Sequence, residues 1–154
     1  MKIQLDDPDK TLDIDIVGYE YPLEKCFLLY DANWLVMKIT YEDKSLKEKW
    51  SRKDPSLLTD ELEHLASWLR SIAKYDRDLH SISNVWSGSE PTLSIFHLYS
   101  YRGKHTFMFT LKHEFLPKGE YGSQKNLYAK IKTKDLLKLA GEFRKLSKKY
   151  PEIK

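Results

Sequence analysis

The 154-residue sequence predicts an α+β fold. The expected form is an antiparallel twisted or sandwich-like sheet of about six to eight strands, carrying two amphipathic helices near 57–74 and 133–149. Three observations support this. Several short runs rich in β-branched and aromatic residues alternate with a period of two. Two segments carry the i, i+3, i+4, i+7 apolar spacing of a helix buried on one side. The strand-like runs are joined by hairpin-length connections without regular crossover helices, which favours antiparallel pairing.

Residues 11–17 alternate strictly, with Leu12, Ile14 and Ile16 on one face and Asp13 and Asp15 on the other. Gly18 ends or bends this half-buried strand. Residues 19–32, with Tyr19, Tyr21, Pro22 and Tyr30, read as an aromatic loop or irregular strand. Residues 33–41 are a near-continuous apolar run, as expected of a central strand. Leu35, Met37, Ile39 and Tyr41 share one of its faces, and Trp34 and Val36 the other. Glu42-Asp43-Lys44 reads as a turn. Residues 45–53 return as a polar strand whose lysines suit a sheet edge. Pro55 bars an earlier helix start, Thr59 is the expected N-cap, and Asp60 and Glu61 complement the helix dipole. Leu62, Leu65, Ala66, Leu69, Ile72 and Ala73 then form the buried stripe.

A loop follows at Tyr75–Asp78, a short strand within 79–86, and a break at Ser87–Pro91. Residues 92–100 and 104–115 form a hairpin through Tyr101-Arg102-Gly103. Pro117–Ser123 is a loop, and 125–132 alternate with Leu127, Ala129 and Ile131 inward. Thr133 is the second expected N-cap. Leu136, Leu137, Ala140, Phe143, Leu146 and Tyr150 form the stripe of the last helix, which Pro151 stops. No repeat or linker divides the chain, so residues 1–154 read as one domain.

Composition is that of a packed protein: 41% hydrophobic, 32% charged and 13% aromatic, against disorder. One cysteine, Cys26, excludes a disulfide framework and reads as a small buried hydrophobe. The N-terminus turns acidic too early for a signal peptide, and no apolar run is long enough to span a membrane, so the expected compartment is the cytoplasm. The net charge of +3 is polarised. Residues 1–31 hold eight acids and three bases, and residues 101–154 hold five acids and fourteen bases. Such a dipole steers charged partners or simply solvates the surface.

No catalytic constellation emerges, and the sequence predicts no enzyme and no cofactor. Gly88-Ser89 lacks the flanking pattern of a nucleophile elbow. Gly119 and Gly122 are not followed by the Lys-Ser/Thr of a phosphate loop. Asp6, Asp7 and Asp9 lack the glycine and distal glutamate of a calcium loop. Asp13 and Asp15 form a carboxylate pair or an ordinary wet strand face. His97, His105 and His113, with Glu114, are the one candidate metal grouping, set against ordinary strand histidines. Lys134, Lys138, Lys145 and Lys149 make a basic stripe on the last helix, next to Lys130, Lys132, Tyr121, Tyr128 and Tyr150. That stripe is a solvated helix face or, in the alternative reading, part of a nucleic-acid-binding surface in the basic C-terminal third.

Four segments together resemble the WapI family of bacterial immunity proteins. They are Asp15-Ile-Val-Gly-Tyr-Glu-Tyr-Pro22, Tyr30-Asp-Ala-Asn-Trp-Leu-Val36, the stretch from Asp54-Pro55 to Trp68-Leu69, and Glu90-Pro-Thr-Leu-Ser-Ile95. The resemblance covers about residues 14–150. It implies a small cytoplasmic non-enzyme, monomeric or weakly dimeric. Such a protein would bind and neutralise the C-terminal toxin domain of a secreted WapA or Rhs-type repeat protein, often a tRNA-cleaving nuclease. The recurring positions Asp31, Asn33, Trp34, Pro55, Leu58, Trp68 and Pro91 read as structural, with Trp34 and Trp68 suited to a strand–helix core contact. An inhibitor of an RNA-binding toxin is expected to present acid, and acid is concentrated between Asp6 and Asp31. The candidate partner-binding residues are therefore Asp13, Asp15, Glu20 and Tyr21, with the outward helix residues Glu63, His64 and Arg70.

Overall fold

Alternation along the strands builds two antiparallel four-stranded sheets in the computed structural model, which describes residues 1–21, 25, 28–74, 82–116 and 123–154. The first sheet has the order β1 (Lys2–Gln4), β2 (Lys10–Tyr19), β3 (Trp34–Asp43), β4 (Glu48–Leu58). The second has the order β5 (Val85–Ser87), β6 (Leu93–Tyr101), β7 (Lys104–Leu111), β8 (Lys125–Lys132). Helices α1 (Thr59–Lys74) and α2 (Thr133–Lys149) follow the last strand of each sheet directly. The fold is the expected α+β arrangement. Cys26, His80, Tyr121 and the loop at 75–78 lie outside the described residues, as does most of the loop at 117–123.

One apolar cluster joins the elements. The first sheet contributes Leu12, Ile14, Ile16, Leu35, Met37 and Ile39, the second Ile95, Phe107, Phe109 and Leu127. The helix stripes complete it with Leu62, Leu65, Leu69, Leu136 and Phe143. Gly18 bends β2 without ending it: the register with β3 shifts between Ile16 and Gly18, and pairing continues to Tyr19. Trp68, expected against Trp34, instead meets Phe107 of β7 edge-on at 6.1 Å and donates from Nε1 to the Ser83 carbonyl at 2.8 Å. Trp34 meets Tyr30 edge-on at 6.0 Å.

Several boundaries move for identifiable reasons. The first hairpin turns later than expected, because Asp43 ends β3 and its Oδ1 accepts from the Ser45 N–H, the Ser45 hydroxyl and the Leu46 N–H. These bonds hold its carboxyl below the usual range, the Ser45 hydroxyl having the largest effect. Leu46, expected within a strand, is exposed in the turn. β4 runs through Pro55 to Leu58, so α1 begins at Thr59 and not at 57. An edge strand with a register shift beside the proline tolerates the missing donor.

Neither predicted threonine cap is a cap, since each is the first helical residue. Thr59 donates to Asn33 Oδ1 at 3.3 Å, and Thr133 donates to the Gly103 carbonyl at 3.2 Å. Glu61 does the capping of α1. Its Oε2 accepts from the Leu58 N–H at 2.8 Å, and its Oε1 accepts from the N–H and hydroxyl of Ser89 at 2.6 and 2.7 Å. β7 ends at Leu111 and a 3₁₀ turn occupies His113–Phe115, where strand had been expected to continue. On α2, Leu137 is exposed beside the α1–α2 groove while Leu136, Ala140 and Phe143 are buried.

The chain's end is clasped. Tyr19 donates its hydroxyl to the Pro151 carbonyl at 2.6 Å, and its ring meets Tyr150 edge-on at 5.6 Å. Asn33 accepts from the Ile153 N–H at 2.7 Å and donates to the Ile153 carbonyl at 3.1 Å. No described helix is long and apolar enough to cross a membrane.

Candidate functional site

The pairing register of the second sheet sends two sets of side chains to opposite faces. His97–Phe107–Ala129 and Ile95–Phe109–Leu127 line the core. The other face presents four successive rows: the polar row Ser87–Ser94–Thr110–Asn126, then Val85–Phe96–Met108–Tyr128, then Tyr99–Thr106–Lys130, then Tyr101–Lys104–Lys132. A bulge between His97 and Tyr99 turns Leu98 outward next to Tyr99. Leu98 is 45% exposed, Tyr99 53%, Tyr101 63% and Tyr128 44%. Ser94, Thr106 and Thr110 on this face are buried. Arg102 lies over the Tyr101 ring at 5.1 Å, in the turn that closes the hairpin. The rows hold three lysines and no carboxylate. The face is therefore aromatic and apolar across four strands at its middle, polar at one end and cationic toward the hairpin end.

A second feature has the opposite charge. Asp54 and Pro55 of β4, Glu90, Pro91, Thr92, His113 and Glu114 line a cleft of about 410 Å³. Burial raises the Asp54 pKa, and the fields of Glu114, Glu90 and Glu20 raise it further. The Thr92 hydroxyl is buried and has no hydrogen-bond partner among the described residues.

The seven residues expected to meet a partner fall in three places. Asp13 and Asp15 stand on the outer face of β2. Asp13 pairs with the Met1 amino group at 2.6 Å, while Asp15 accepts from the Ile16 N–H at 2.9 Å and lies opposite Lys38. Glu20 and Tyr21 follow at the end of β2, where the Glu20 N–H donates to the Trp34 carbonyl at 2.8 Å. On α1, Glu63 accepts from Arg144 at 2.6 and 3.1 Å and from the Ser147 hydroxyl at 2.9 Å, locking α1 to α2. The Arg144 hydrogen bonds hold the Glu63 carboxyl below its ordinary pKa, and Glu63 raises Arg144 in turn. His64 is exposed, with Asp60 at 4.0 Å. Arg70 is exposed and lines the groove between the helices with Lys74 and Leu137.

The histidine grouping is not the expected one. His113 is exposed beyond the end of β7, whereas His97 and His105 are buried with ring centroids 5.9 Å apart. The Ser100 hydroxyl bridges them, at 3.0 Å to His97 Nε2 and 2.7 Å to His105 Nδ1. His105 Nε2 continues to the Thr133 hydroxyl at 2.9 Å. This is a polar seam joining the hairpin to the start of α2. Among the described residues no three His, Cys, Asp or Glu side chains converge to hold a metal.

Sequence reasoning missed the outer face of the second sheet. Tyr128 and Lys130 were accessible from the alternation of 125–132. Phe96 and Met108 were not, because each is a large apolar residue on the face where its strand otherwise carries Ser94 or Thr106 and Thr110.

The described elements form a two-sheet α+β scaffold that carries an aromatic face and an acidic cleft. Residues 2–151 match the model of the immunity protein WapI-like family, and the chain belongs to that family. Comparison with curated proteins found no significant match.

Proposed function

We propose that this chain is the immunity partner of a secreted WapA or Rhs-type toxin. In this reading it binds the C-terminal toxin domain, a tRNA nuclease in the expected case, and blocks it without chemistry of its own. The observation that carries the reading is family membership across residues 2–151. The outer face of the second sheet supports it, because it carries the exposed Leu98, Tyr99, Tyr101 and Tyr128, and tyrosine is enriched where proteins meet proteins. Co-expression tests it. A cell producing the toxin domain encoded beside this chain grows when the chain is abundant and arrests when it is absent. Continued arrest with abundant, folded chain refutes the assignment for that pair.

A further inference from the structure

We infer that the toxin domain docks on the outer face of the second sheet, which selects a partner surface that is apolar at its centre and acidic on one side, so the contact is not the acid between Asp6 and Asp31 that would mimic RNA. This rests on the immunity reading above and adds the surface and its chemistry. The row Val85–Phe96–Met108–Tyr128 offers no charge and crosses all four strands, with Tyr128 exposed and Val85, Phe96 and Met108 half-buried. A soluble partner covers such a row with apolar side chains, and tyrosine supplies contact area at low entropic cost. Lys104, Lys130 and Lys132 lie to one side, Lys130 also lining a pocket with Asp135 and Glu142, and no carboxylate stands in the paired rows, so charge complementarity favours acid opposite them. That arrangement, an apolar centre with charge at the margin, is the ordinary anatomy of a protein interface. Exposed tyrosines beside lysines also suit stacked bases, so nucleic acid is the competing occupant that the salt arm of the test separates from protein.

The test uses the full chain and, as probe, the toxin domain encoded beside it. Tyr128→Ala and Lys130→Glu alter exposed side chains, and unchanged melting temperatures establish that the variants fold. Lys53→Glu and Lys49→Ala, exposed on β4 of the first sheet, serve as controls away from the face. The expected result is binding by calorimetry weakened roughly tenfold or more in each face variant, with the controls near wild type. Wild-type affinity in both face variants overturns the docking face and leaves the immunity reading standing. A wild-type chain that neither binds nor protects overturns both for that pair. Retention of total tRNA at ~50 mM salt, lost in the same variants while toxin binding persists, overturns the protein assignment in favour of nucleic acid.

Discussion

Burial of a titratable ring ties stability to pH at one residue. His97 is held below its ordinary value of 6.5, first by burial and then by the neighbouring His105. In the unfolded chain the ring takes up a proton near its ordinary pKa, while in the fold it does so only at lower pH. Below about 6.5 the unfolded state therefore binds more protons, and stability falls as pH drops toward the depressed folded value. Melting temperature is expected to decline between pH 7.5 and 5.5. His97→Phe, which keeps an aromatic ring against Phe107 at the 5.3 Å position, is expected to flatten that decline. An equal decline in both proteins would assign the effect to other groups. Glu61 is a second residue on which much depends, since its carboxylate serves both the start of α1 and the Ser89 loop. Glu61→Ala leaves the Leu58 and Ser89 N–H groups without their acceptor and is expected to lower unfolding free energy by about 1–3 kcal/mol in urea titrations.

Elements differ in how far local sequence determines them. The hairpin between β6 and β7 closes through Arg102 at φ 48° and Gly103 at φ 71°, two consecutive left-handed residues of the kind a two-residue turn demands. Gly103→Ala is expected to cost about 1 kcal/mol by chemical denaturation, although its Cβ meets nothing closer than the Thr133 hydroxyl at 3.9 Å. The helices are amphipathic as their spacing required, yet the α2 stripe is narrower than the leucine pattern suggested. Leu136→Ala is expected to cost about 2–5 kcal/mol, and Leu137→Ala within about 0.5 kcal/mol. The strand periods and both helix stripes were legible because they reflect one buried face. The caps were not. Thr59 and Thr133 have the right chemistry, but Asn33 and Gly103 lie 26 and 30 residues away and engage their hydroxyls. Glu63 was equally opaque, because the Arg144 that engages it is 81 residues distant. The docking face was hidden for another reason: Phe96 and Met108 are large apolar residues on the face that carries Ser94, Thr106 and Thr110.

At the scale of the molecule, the two sheets and their helices are tied by a few long-range bonds, and the one nearest the C-terminus lends itself to a clean test. Pro151 and Ile153 are gripped by Tyr19 and Asn33, which lie at the end of β2 and just before β3. Asn33 also accepts from Thr59 at the head of α1, so a single side chain joins the 3₁₀ turn at Asp31–Asn33, the first helix and the tail. Removing residues 151–154 takes away three hydrogen bonds and leaves Asn33 with Thr59 and the Leu29 carbonyl, to which it donates at 3.0 Å. Because the clasp is partly exposed, water replaces much of what is lost, and unfolding free energy is expected to fall by about 1–3 kcal/mol. The Tyr19–Tyr150 ring contact survives the cut, so the end of α2 stays seated. None of the clasp residues belongs to the β5–β8 rows, so at temperatures where the truncated chain is folded its affinity for the toxin domain should match that of the full chain. Calorimetry and urea unfolding on one preparation separate the two quantities. Lost affinity with intact folding would move the docking surface toward the clasp, and unchanged stability would show that the tail bonds add nothing to the fold.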